Sequence, residues 1–234
     1  MSIVYIISAP SGSGKSTLVN ELRKSVANLE FSISYTTRPP RGSEQDGHEY
    51  FFITRDEFER LLKRGEFLEY ADVFGNYYGT ARRFLDGARE RGADLLLDID
   101  VQGARQIKQK LADAVSVFIL PPNREELERR LRRRSHAEGV ASGEVIRRRL
   151  AAAAKEIENY RNYDYILIND QLEQSIDELK AIVLAERVRR SGSPGSPEEE
   201  KWLAIAERHR QDKLREKLRP ILESFALSAT PGGR

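Results

Sequence analysis

A chain of 234 residues can bury one full core, with room left for a lid and a tail. Its 39 basic and 37 acidic side chains leave a net charge of only +2, so no global field argues for a nucleic-acid partner. There is no cysteine, which excludes disulfides and thiolate metal sites, and no apolar run approaches membrane-spanning length.

The first element is the apolar run Ile-Val-Tyr-Ile-Ile at 3–7, read as a buried strand. It is too short for a secretory signal core and lacks a basic lead-in, so a soluble, cytoplasmic protein is expected. It leads straight into Ser8-Ala9-Pro10-Ser11-Gly12-Ser13-Gly14-Lys15-Ser16-Thr17 and then a helix over 16–26. Strand, glycine-rich turn, lysine, hydroxyl and helix make a phosphate cradle. The glycines let backbone N–H groups turn toward phosphate oxygens, and the helix N-terminus adds partial positive charge. Lys15 would reach the outer phosphates of a nucleotide and the Ser16 hydroxyl would ligate magnesium. Ala9 stands where the strict pattern has glycine.

Further strands are predicted at 31–35, 50–53, 95–99, 115–120 and 165–168. Helices are predicted at 55–64, 81–91, 101–110, 124–133, 142–159 and 172–187. Strands alternating with helices predict an α/β fold, a three-layer sandwich with a parallel central sheet. Such sheets bind ligands beyond the carboxyl ends of their strands, which puts the phosphate loop and Asp98 on one rim. Residues 31–80 differ, with short strands, many tyrosines and one clear helix, and read as an inserted substrate lobe. Ser191 to Pro197 is linker-like, Ser-Gly-Ser-Pro-Gly-Ser-Pro. Beyond it, 198–225 is again helical, with an apolar stripe that includes Leu214, Leu218, Ile221, Leu222 and Phe225, and Pro220 is expected to bend or interrupt it. This tail folds back on the chain, pairs with a second subunit or serves as a partner-binding helix, so a homo-oligomer is one expectation.

Beyond the phosphate loop, three groups of residues carry candidate chemistry. Arg38 and Arg41 flank Pro39-Pro40, so two guanidinium forks sit on a stiffened segment suited to a dianionic phosphate, and Tyr50 and Tyr78 can add phenolic donors. Asp98 and Asp100 close an apolar strand and could hold magnesium, directly or through water. Asp100 reads equally as the cap of the next helix. Arg129, Arg130, Arg132, Arg133, Arg134 and Arg147, Arg148, Arg149 form a basic cluster without interleaved aromatics, which argues against nucleic acid. The three histidines lack metal-ligand spacing.

The run Ser34-Tyr35-Thr36-Thr37-Arg38-Pro39-Pro40-Arg41, continuing to Phe52, carries a family resemblance. So do Glu66-Phe67-Leu68-Glu69-Tyr70, Gly75-Asn76-Tyr77-Tyr78-Gly79-Thr80 and Leu97-Asp98-Ile99-Asp100-Val101-Gln102-Gly103. In order and spacing they closely resemble guanylate kinase, which phosphorylates GMP with ATP, over roughly residues 2–188. The resemblance implies a GMP-binding lobe at 31–80 and a lid near 124–150; the linker, placed at 189–197, and the helical extension at 198–234 lie beyond it. It implies that Ala9 to Thr17, with Asn169, bind ATP with Mg2+. Ser34, Arg38, Arg41, Tyr50, Glu69, Tyr78, Thr80 and Asp98 are implied to bind GMP, with dGMP a second acceptor. Glu69 and Ser34 would read guanine, although pattern alone does not exclude an exposed charge at a strand start for Glu69. Ser16 and Asp98 are the implied metal ligands, and Lys15, Arg38, Arg130, Arg134 and Arg148 the catalytic cations. The chain departs from the family after Arg134, where Ser135-His136-Ala137-Glu138-Gly139 replaces an early glycine. Two other readings stand beside the enzyme: a non-catalytic peptide-binding module of the same fold, and a kinase for another base.

Overall fold

A computed structural model describes residues 2–73, 75–137, 142–192 and 194–226. The chain divides into two compact units, one of residues up to Ile7 with Val26–Val115, the other of Ser8–Ser25 with residues from Ser116 onward. In chain order the elements of the first part are β1 (Val4–Ser8), α1 (Lys15–Ser25), β2 (Leu29–Ser32), β3 (Tyr35–Thr36), β4 (Phe51–Phe52), α2 (Arg55–Lys63), β5 (Phe67–Val73), β6 (Asn76–Ala81) and α3 (Arg82–Glu90). Then come β7 (Asp94–Asp98), α4 (Val101–Lys110), β8 (Val115–Leu120), α5 (Arg124–Ala137), α6 (Gly143–Ile157), β9 (Tyr165–Ile168), α7 (Leu172–Ser191), α8 (Pro197–Arg208) and α9 (Arg215–Ser224).

The central sheet is parallel and five-stranded, in the order β2-β7-β1-β8-β9. Its inner strands β1 and β8 are almost continuously apolar because strands of a covered parallel sheet are buried on both faces, while edge strand β2, Leu-Glu-Phe-Ser, is only partly buried. Tyr5, Ile6, Ile7, Leu96, Leu97 and Phe118 are fully buried. The register pairs Ile6 with Leu97 and Ile7 with Asp98, so Asp98 lies at the carboxyl end of its strand. At the opposite end the buried Asp94 carboxylate accepts from the Ile3 amide at 2.7 Å.

A second sheet, β4-β3-β6-β5, forms the lobe. The expected single strand at 31–35 is two strands in two sheets: β2 ends at Ser32 in the central sheet and β3 begins at Tyr35 in the lobe. The β5–β6 hairpin falls within 31–80 but was not expected as strands, because Glu69, Asp72 and Gly79 interrupt its apolar alternation. The lobe core is aromatic. Phe58 of α2 is fully buried and stacks on Phe67 with ring centroids 4.4 Å apart.

The tail also differs from expectation. Helix α7 runs on to Ser191, and the chain breaks its helix at 209–214, ahead of Pro220, which sits inside α9.

Candidate active site

The phosphate loop joins β1 to α1. A turn closes with the Ser13 amide donating to Pro10 O at 3.1 Å, and α1 begins at Lys15. Ser16 and Thr17 follow on the exposed first turn. Gly14 has φ +91°, and a Cβ there would lie 2.3 Å from the Asn169 amide nitrogen. The loop therefore needs glycine for both its backbone and the close approach of Asn169. Asn169 directly follows β9, and its side-chain amide donates to Ser13 O at 2.7 Å. Arg130 of α5 completes the cluster, donating to Asn169 O at 3.0 Å and to Ser13 O at 3.3 Å. The Ser8 and Ser13 hydroxyls are buried without a hydrogen-bond partner.

Sequence reasoning overlooked the group that orients Arg130. Glu126, one helical turn earlier, accepts from Arg130 Nε at 2.7 Å. The Arg129 hydrogen bond, with Arg130 adding to it against the cost of burial, holds the Glu126 carboxyl down at about 2. Arg134 and Arg148, on α5 and α6, have exposed side chains. Ser135, at the point of departure from the family pattern, is fully buried and accepts from Arg149 at 2.9 Å. The remainder of that departure, 138–141, lies outside the described residues.

In the lobe, Arg38 is 6% exposed, and its Nε donates to the Tyr78 hydroxyl at 3.1 Å. Tyr50 packs edge-on to Tyr78, with its ring 5.3 Å from the Arg38 guanidinium carbon. These three predicted phosphate ligands are therefore brought together, while the Arg41 side chain is exposed nearby. Glu44, unassigned from the sequence, lies in the middle of this group and pairs with Arg38.

Glu69 is not an exposed strand-start charge. It is 3% exposed and stands directly across the β5–β6 ladder from Thr80. Burial raises its carboxyl to about 7; Thr80 opposes the shift, Asp100 adds to it, and Lys110 pulls back weakly. Thr80 acts as a nearby dipole, since its buried hydroxyl makes no hydrogen bond of ordinary geometry. Ser34 is buried between β2 and β3. Asp98 is half-buried at the end of β7. Asp100 caps α4, its Oδ1 accepting from the Gly103 amide at 2.8 Å.

A strand–loop–helix phosphate cradle on a parallel sheet, with an arginine helix over it and a separate arginine–tyrosine lobe, defines a phosphate-loop nucleoside-monophosphate kinase. The family model described as guanylate kinase matches residues 1–186. Guanylate kinase of Koribacter versatilis is 58% identical over 228 residues, 97% of each chain. That of Geobacter metallireducens is 52% identical over 187 residues, covering 80% of this chain and 90% of the other. The crystal structure of guanylate kinase from Anaplasma phagocytophilum gives a TM-score of 0.66 at 37% identity, over 79% of this chain and 86% of that one. The chain belongs to the guanylate kinase family. No helix among the described residues is long and apolar enough to cross a membrane.

Proposed function

We propose that this chain transfers the outer phosphoryl group of ATP to GMP, and alongside it dGMP, giving the nucleoside diphosphate and ADP. The observation that carries the acceptor's identity is the buried Glu69 carboxylate facing Thr80. The pairing edge of guanine offers two adjacent N–H donors and a carbonyl. A carboxylate with a hydroxyl beside it satisfies them, with Ser34 and Asp98 assisting. Adenine would turn an acceptor toward the carboxylate and leave a buried charge partly unpaired.

Arg38, with Tyr50 and Tyr78, receives the acceptor's phosphate, and Arg41 swings in from the surface. The loop from Ala9 to Thr17 wraps the ATP phosphates, with Asn169 at its edge. Lys15 and Arg130 neutralise the charge that develops on the transferring group, and Arg134 and Arg148 are the lid arginines that join them on closure. Positioning and electrostatics carry this reaction, so no strong general base is required.

Among the described residues no cluster of three or more histidine or carboxylate side chains could hold a metal alone. That suits magnesium, which keeps waters and binds through few protein groups together with substrate phosphates. Ser16 and Asp98 are its candidate ligands, and the ion would neutralise the outer phosphates when bound. Location in the cytoplasm and the absence of a nucleic-acid partner belong to the same reading. An intact Gly14-Lys15-Ser16 cradle weighs against a peptide-binding module.

Coupled assays of ADP release with GMP, dGMP, AMP, CMP and UMP test this. Turnover is expected with the two guanine nucleotides and a kcat/KM at least about a hundredfold lower for the others. Comparable use of AMP would overturn the guanine assignment, and ADP release with none of them would overturn the kinase.

A further inference from the structure

Gly103 is a glycine that its backbone does not require. It lies in the first turn of α4, and its φ is outside the left-handed region. A glycine inside a helix costs about 1 kcal/mol relative to alanine, so helix stability alone would favour a side chain here. What fills the missing side chain's space is Glu69. A Cβ on Gly103 would fall 2.4 Å from Glu69 Oε2 and 2.9 Å from its Cδ, with Asp100 Oδ1 at 3.4 Å.

The helix cannot slide aside to make room. β5, which carries Glu69, is an edge strand of the lobe sheet, and α4 covers the free edge with a row of polar side chains four residues apart. Gln102 Nε2 donates to Asp72 O at 3.3 Å. Gln106 donates to Tyr70 O at 2.6 Å and accepts from the Tyr70 amide at 3.3 Å. Lys110 donates to Leu68 O. Four helical residues rise about 6 Å and two strand residues about 6.6 Å, so the two repeats keep in step along the edge. Asp100 anchors the helix start through the Gly103 amide itself. With α4 tied to backbone on both sides of Glu69, the free end of the Glu69 side chain is the part that yields to an added methyl.

We propose that Gly103 is a specificity-positioning residue: the space its absent side chain leaves is the seat that holds the Glu69 carboxylate where guanine is read. The inference rests on Glu69 being the guanine-binding carboxylate. A methyl at 103 displaces that carboxylate by about 1 Å, enough to misalign two hydrogen bonds to a planar base while the fold survives.

The test compares Gly103→Ala, Glu69→Gln, Glu69→Ala and the double variant Gly103→Ala/Glu69→Ala. It measures KM for GMP, KM for ATP, the GMP-to-AMP ratio of kcat/KM, and thermal melting. Gly103→Ala is expected to melt no lower than the parent. Its KM for GMP should rise at least about tenfold and its discrimination against AMP should fall, with KM for ATP within about twofold. In the Glu69→Ala background the same substitution should add nothing, because the seat is already empty. An unchanged KM for GMP in Gly103→Ala, while Glu69→Gln raises it, overturns the positioning role and leaves the Glu69 reading standing. If Glu69→Gln itself leaves GMP use intact, the reading beneath fails and the inference with it. A lower melting temperature with both KM values rising together, or an undiminished effect in the Glu69→Ala background, would mark a packing defect and overturn it also.

Discussion

The Arg38 guanidinium closes on both carboxylate oxygens of Glu44, at 2.8 and 3.0 Å. The same carboxylate accepts from the Arg41 amide at 2.8 Å, so one acid organises both arginines of the motif. A phosphate offers a guanidinium a similar two-oxygen face. With Arg38 as the proposed receiver of the acceptor phosphate, Glu44 would hold the fork in the shape that phosphate needs. Burial works against its charge, but the hydrogen bonds from Arg38 and the Arg41 amide outweigh that cost and keep its carboxyl below the ordinary range.

Glu44→Gln should destabilise the empty protein and enlarge the stabilisation that GMP confers. Without the acid, Arg38 is buried and uncompensated until the phosphate arrives. The expected loss is roughly 1 kcal/mol, since Glu44 is partly exposed and screened. A carboxyl held low contributes stability that is present above its unfolded value and is lost as pH falls through its folded one. The parent's advantage should therefore fade below about pH 4. Melting curves with and without GMP check this; equal GMP-induced shifts in parent and variant would show that Glu44 and phosphate do not share Arg38.

Glu69, pushed up to about 7 by burial, gives a pH prediction of opposite sign. Its folded value lies above its unfolded one, so it lowers fold stability progressively as pH rises from about 4.5 to 7. Guanine's donors require the carboxylate, so GMP binding should tighten over the upper part of the same range. The GMP phosphate itself titrates near pH 6, so the informative window is about pH 6.5 to 8. KM for GMP should fall across that window in the parent and stay flat in Glu69→Gln. A slope that persists in the variant would assign the titration elsewhere.

Within the phosphate loop, Lys15→Ala and Gly14→Ala should separate chemistry from architecture. Lys15→Ala removes the charge proposed to act on the transferring group and should lose at least about a hundredfold in kcat while GMP still binds by calorimetry. Gly14→Ala places a methyl against the Asn169 amide and strains a backbone at φ +91°, so it should weaken ATP binding and lower melting as well. Wild-type turnover in Lys15→Ala would remove that residue from the mechanism.

How legible these features were follows from where their partners lie. The phosphate loop was readable because its whole cradle is one contiguous string with strand and helix attached. Arg38, Tyr50 and Tyr78 carried a motif, but Glu44 did not, because its role depends on a turn that folds it back across six residues onto Arg38. Glu69 was legible through its motif alone; pattern left an exposed charge open, since periodicity reports apolar burial and is silent on a buried acid. Gly103 was quoted as part of a motif without a role, and only the position of a side chain 34 residues earlier supplies one. His209 had no metal spacing, yet its main-chain oxygen and its Nδ1 both reach Ile166, contacts that no local pattern announces.

The extension folds back onto its own chain, one of its expected arrangements. Residues 209–211 run beside β9, the last strand of the central sheet. The Ile166 amide donates to His209 O at 2.9 Å and the Gln211 amide to Asp164 O at 3.1 Å. Arg210 lies 4.8 Å from the Tyr165 ring, and Arg189 bridges Glu186 and Glu207. An open sheet edge is thereby blunted. Further on, Leu214, Leu218, Ile221, Leu222 and Phe225 are buried, and Ser224 Oγ accepts from the Arg124 amide at the start of α5. Each such side chain contributes about 1.5 to 3 kcal/mol on burial, so the extension acts as part of the core. Leu222→Asp should cost about 3 to 5 kcal/mol and lower melting by on the order of 10 °C, with no change of mass by light scattering. If the mass fell by half while melting barely moved, the apolar stripe would instead be a contact between subunits.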